Sequence, residues 1–178
     1  MNKRVLLSLA AVLICCACVV GSTVAWLADR TSVTNTFTSG DISMTLTETT
    51  GEEYKIIPGA TIAKNPTVNI YRGSEEAWLF VKVEETNNPN EYISYTLEDG
   101  WTELMDGVYY RECPAALYNV TYNILKDNAI TVKDTLTEED LATLRESGVY
   151  PQLLFTAYAV QKSGVNSAEE AWELAKNL

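Results

Sequence analysis

From residue 37 onward, apolar and polar side chains alternate along the chain. Ile42, Met44 and Leu46 fall on one parity and Asp41, Ser43, Thr45 and Thr47 on the other, the two-residue period of a strand with one face buried. A short run at 54–57 stops at Pro58-Gly59, a turn signal, and Val68 and Ile70 resume the alternation as far as Gly73. Residues 77–84 (Ala-Trp-Leu-Phe-Val-Lys-Val-Glu) begin apolar at both parities, which predicts a strand central in its sheet and covered on both sides. Asn87-Asn88-Pro89-Asn90 closes it as a loop. Residues 92–97, 101–104 and 108–111 read as a three-stranded meander, because Asp99-Gly100 and Asp106-Gly107 supply the positive φ of two-residue hairpin turns. Residues 120–125, 130–132 and 153–160 add further strands. Eight or nine strands are too many for one open sheet in a chain of this length, so the pattern predicts a mainly all-β fold of two packed antiparallel sheets.

Two helices interrupt the alternation. Thr137 precedes Glu138, Glu139 and Asp140, a capping threonine with acids in the first turn, and Leu141 and Leu144 lead to a stop at Gly148. Ser167 opens a second helix, in which Ala171, Trp172 and Ala175 form a narrow apolar stripe. There is no tandem repeat, low-complexity tract or linker, so residues 26–178 read as one domain.

The first 25 residues have a different build. Met1-Asn2-Lys3-Arg4 is a short basic start, and residues 5–20 are apolar apart from Ser8 and cysteines, the arrangement of a cleavable export signal. The run falls short of the roughly 20 apolar residues that span a bilayer. Thr23 and Ala25 place small side chains where a signal peptidase requires them, so cleavage is expected before Trp26. Cys18 follows Ala17, as in a lipoprotein leader, but Cys15 stands where such a leader carries leucine. A cleaved chain keeps only Cys113, which excludes an intramolecular disulfide and leaves the hydrophobic core to hold the fold. Removing Lys3 and Arg4 leaves 11 basic against 24 acidic residues, a net charge of −13. That field disfavours nucleic acid and anionic membrane surfaces.

The chain contains no histidine, so zinc hydrolysis through imidazole ligands and a Ser-His-Asp relay are both closed. Cys113, beside Glu112 and without an imidazole partner, reads as a structural thiol. The pairs Glu52-Glu53, Glu75-Glu76 and Glu84-Glu85 place neighbouring carboxylates on opposite faces of a strand, where they cannot converge on one glycosidic bond. Ten tyrosines and four tryptophans mostly alternate with polar residues inside strands. That favours core packing over a sugar-binding platform. Asn119-Val120-Thr121 matches a glycosylation acceptor. No catalytic, metal or cofactor residue is assigned.

The junction Gly21-Ser22-Thr23-Val24-Ala25-Trp26-Leu27-Ala28-Asp29, followed by Asn35-Thr36-Phe37-Thr38-Ser39-Gly40-Asp41-Ile42, resembles that of the TasA/camelysin family of Gram-positive bacteria. Pro58-Gly59-Ala60-Thr61-Ile62-Ala63-Lys64-Asn65-Pro66 is similar to a second signature of that family, and Ala157-Tyr158-Ala159-Val160-Gln161 with Ala171-Trp172 resembles the end of small clostridial relatives. The resemblance implies a jelly-roll-like β-sandwich, cleavage by a signal peptidase of the SipW type, and a role as a subunit or accessory component of extracellular biofilm matrix fibres, with self or related matrix subunits as partners. Camelysin is classed as a metallopeptidase, which keeps a secreted peptidase as an alternative; a carbohydrate-binding surface module is another. Ala60 stands where the family favours aspartate.

Residues 26–37 suggest how such a subunit would assemble. Trp26, Leu27, Val33 and Phe37 are apolar in a threonine-rich, strand-favouring segment. Freed by cleavage, the segment either adds as a strand to a neighbour's sheet edge or forms the first strand of its own sandwich.

Overall fold

The structure, a computed structural model, describes residues 41–50 and 54–177, all within one compact unit that spans residues 32–178. Ten strands account for most of the described regular structure: β1 (Met44–Thr47), β2 (Thr61–Ala63), β3 (Thr67–Ile70), β4 (Ala77–Thr86), β5 (Ile93–Ser94), β6 (Thr102–Met105), β7 (Val108–Cys113), β8 (Val120–Asn123), β9 (Ala129–Val132) and β10 (Gln152–Gln161). The helices are α1 (Pro89–Tyr92), α2 (Glu138–Ser147) and α3 (Ala168–Ala175). All pairings are antiparallel, in ladders β10-β4-β7-β6, β1-β3-β8 and β2-β9-β5. The chain is thus the antiparallel β-sandwich with short helices that its patterning predicts, with one more strand and one more ladder than expected.

β4 explains the architecture. Its odd residues Leu79, Val81 and Val83 join Met44 and Leu46 of β1, Val68 and Ile70 of β3, Val132 of β9 and Phe155 of β10 in one core. Its even residues Trp78 and Phe80 face the other way, into a second core with Val160, Ala171, Trp172 and Ala175. Both parities are apolar because both faces are covered, one by the two smaller ladders and one by α3. Full burial of such a side chain contributes about 1.5–3 kcal/mol. The neighbours keep register: Phe155 lies opposite Val83 and Tyr158 opposite Phe80.

The turns follow their chemistry. Gly107 closes the β6–β7 hairpin at φ +71°, and a β-carbon there would stand 2.8 Å from the carbonyl oxygen of Val83, so only glycine fits. Thr137 and Asp140 form a capping box at the start of α2, and Gly148 ends it at φ +63°. Ser167 caps α3 by accepting from the Glu170 amide.

Three expectations need correction. Residues 54–57 are not a strand; the Ala60 amide turns back onto the Ile57 carbonyl, and the β9 edge is taken by Thr61–Ala63 instead. The meander is only a hairpin, because β5 pairs with β9 rather than with β6. Backbone bonds from Glu98 to the Ile124 carbonyl and from Lys126 to the Thr96 carbonyl draw this stretch toward the β8–β9 connection. The loop at 87–90 contains a helical turn: Asn87 and Asn88 adopt positive φ, and Pro89 opens α1.

Candidate functional site

The expected signal-peptidase residues Thr23, Ala25 and Trp26 lie outside the described residues, as do Leu27, Val33 and Phe37 of the segment proposed for donation. Glu52-Glu53 lies there too. The remaining sequence candidates can be placed.

Cys113 ends β7 at 1% exposure, with its Sγ 3.4 Å from the Tyr122 hydroxyl. Within β4 the pair Glu84-Glu85 diverges, as strand geometry requires, whereas Glu75-Glu76, expected to do the same, precedes that strand and lines one cleft. Glu84 accepts from Lys82 at 2.7 Å, whereas Glu85 accepts from the Tyr95 hydroxyl at 2.6 Å and the Asn90 amide at 2.7 Å. Burial and the bond to Glu85 push the Tyr95 phenol above its ordinary range. Glu75 accepts from Gln161, and Glu76 and Glu112 share Lys162. Glu75, Glu76, Gln161 and Lys162 line an open cleft of about 500 Å³ at the end of β10, and Glu112 reaches Lys162 from β7. Hydrogen bonds from Lys162, to Glu112 first and Glu76 second, raise its pKa and tie up both carboxylates. One lysine thus serves two carboxylates, and Glu75 is met there only by the neutral Gln161 amide.

Most large aromatics are in the cores. Phe80 and Trp172 meet at 5.4 Å between ring centroids, Tyr158 and Trp172 edge-on at 5.3 Å. Leu117 and Tyr118 are exposed at the tip of the β7–β8 loop. Asn119, in the glycosylation-like triplet, is occupied by the Arg72 amide at 2.9 Å.

The turn signature at 58–66 does packing work. The Gly59 amide donates to the Val132 carbonyl and the Val132 amide to the Ala60 carbonyl, docking the turn on β9. Lys64 reaches Glu48 at 2.8 and 3.0 Å, both side chains largely withdrawn from solvent. Its ammonium lies 5.4 Å from the Tyr54 ring centroid and 5.8 Å from that of Phe155. Asn65 accepts from the Thr49 and Thr50 amides. Among the described residues no cluster of three acidic or cysteine ligands is positioned to hold a metal ion.

Two features escaped the sequence reading. Arg111 lies over the Tyr122 ring at 4.2 Å and near the Trp101 ring at 5.2 Å. The signal was its spacing: two residues before the buried Cys113, it shares that inward parity. The second is the edge formed by β10. This ten-residue strand turns Phe155, Ala157 and Ala159 into the core, yet among the described residues its only ladder partner is β4. β1 approaches it without forming a ladder. Comparison with family models, with curated proteins and with solved structures returns no match.

Proposed function

We propose that the chain is a non-enzymatic protein, exported through its first 25 residues and acting as a structural subunit or accessory component of an extracellular matrix fibre. The observation that carries this reading is the β10 edge. A long strand with an apolar inward face and a backbone edge unladdered among the described residues is a template for another strand. The freed segment at 26–37 has the composition to be that strand. Donated head to tail between copies, it propagates without closing and grows a filament. Supplied by its own chain, it completes the sandwich instead.

The family-like junction and turn support the same role, with a SipW-type peptidase releasing the segment and related subunits receiving it. The absence of histidine from the sequence weighs against the peptidase alternative.

Electron microscopy of purified residues 26–178, alongside the same protein lacking 26–36, tests the proposal. Filaments from the longer protein and a folded monomer from the shorter one are expected. Filaments from both would reject donation, and loss of folding in the shorter one would assign the segment to its own sandwich. Chelator-sensitive proteolysis, or specific glycan binding, by the longer protein would replace the structural reading with the corresponding alternative.

A further inference from the structure

Between β7 and the Tyr122 ring of β8 lies a cation that has no anion among the described residues. Six described lysine and arginine side chains form ion pairs, Lys133 donates to the Asn90 carbonyl, and Lys55 and Arg72 are solvent-exposed. Arg111 differs from all of these. It is drawn partly out of solvent, it has no carboxylate or carbonyl partner among the described residues, and its Nε is fully buried without a hydrogen bond.

Its surroundings are nonetheless ordered. Trp101 is fixed by its indole N–H, which donates to the Asn123 carbonyl at 2.8 Å. Tyr122 is held against Cys113. On another side, a β-carbon added to Gly100 would stand 2.8 Å from Nη2, so the guanidinium lies against bare backbone. The aromatic rings attract the cation but use none of its five N–H donors. An unpaired donor withdrawn from water is costly, and Nε is such a donor.

We infer that Arg111 anchors a binding site for a carboxylate, carried either by a small free anion or by an acidic side chain of a peptide. The guanidinium fork matches a planar carboxylate with two parallel hydrogen bonds. A single positive charge balances a single negative one. The surrounding field of an acidic chain, net −11 overall, penalises doubly charged phosphate or sulfate more heavily than a monoanion. The inference is independent of fibre formation, since it rests on the surroundings of Arg111 and not on the β10 edge.

Nitrogen-15 NMR of the arginine side chains in the purified full chain tests it. Acetate and a short glutamate-containing peptide are titrated against chloride at constant ionic strength. A saturable shift of the Arg111 signals, without one at the exposed Arg72 and Arg145, is expected. Arg111→Lys keeps the charge but loses the fork, and should weaken binding about tenfold. Tighter binding of the peptide than of acetate would assign the site to a polypeptide partner; equal binding, to small carboxylates. A response to chloride equal to that with acetate, or unchanged saturation in Arg111→Lys, overturns the site. Should that variant fail to fold, the wild-type comparison of carboxylate with chloride decides alone.

Discussion

On its inner face the four-stranded sheet presents mainly aliphatic side chains, Leu79, Val81 and Val83 among them, to strands from two other ladders. On its outer face it presents rings, Trp78, Phe80, Tyr110 and Tyr158, and one helix of eight residues covers them. The inner contacts join segments as distant as β1 and β10, so no single element carries that core. The outer core hangs on Trp172, with Ala168, Ala171 and Ala175 small enough to let the helix approach. Equal burial therefore need not mean equal robustness: one layer is distributed, the other is a single docked element.

The largest expected effect separates the two. Trp172→Ala should cost about 3–5 kcal/mol in urea denaturation, and amide exchange should rise in α3 while β4 and β7 keep their protection. Leu79→Ala should cost about 2–5 kcal/mol and lower protection throughout, because its neighbours come from several ladders. Uniform loss of protection in Trp172→Ala would mean that the two faces form one cooperative unit.

This asymmetry was partly legible in the chain. The double parity of 77–84 announces a strand covered twice, and Ser167 with the Ala171-Trp172-Ala175 stripe announces a docked helix; both are local periodicities. The cap at Thr137 is legible for the same reason. Strand partners are not local. Nothing near Ile93 and Ser94 says that they pair with β9, and the Asp99-Gly100 signal was correct for the turn but silent on which sheet the chain enters next. The Lys64–Glu48 pair joins side chains 16 residues apart, and Arg111 looks like an ordinary strand cation until Trp101 and Tyr122 are brought to it. The leader candidates fall outside the described residues.

Charged groups sharpen the comparison, because those beside the inner core are more withdrawn from water. Lys64 and Glu48 have side chains 12% and 17% exposed, against 37% and 43% for Lys82 and Glu84 on the outer side. Removing one partner of a withdrawn pair strands the other. Lys64→Ala should cost about 3 kcal/mol, limited by Thr50 and Tyr54, which still donate to Glu48. Lys82→Ala should cost about 0.5 kcal/mol, and less in high salt. Chemical denaturation at two salt concentrations measures both; equal losses would remove the distinction between the two sides.

The smallest effect concerns Tyr122, also beside the inner core. Burial, and next the contact with Cys113, push its phenol from 10.0 up to about 12, with Arg111 pulling weakly the other way. The folded state thus holds the phenolic proton more tightly than the unfolded chain. Its contribution to stability is fully present below pH 10, where both states are protonated. It declines as pH rises toward 12, because the unfolded chain then loses a proton that the folded one retains. Tyr95 and Tyr109 are shifted in the same direction by burial, so the informative quantity is a difference between proteins. Tyr122→Phe should show a shallower loss of stability between pH 10 and 12 than the wild type, and its ultraviolet titration should lack one late-ionising phenol. Parallel stability curves for the two proteins would mean that the Tyr122 hydroxyl is as well solvated as in the unfolded chain, and that the inner core is open to water on its β8 side.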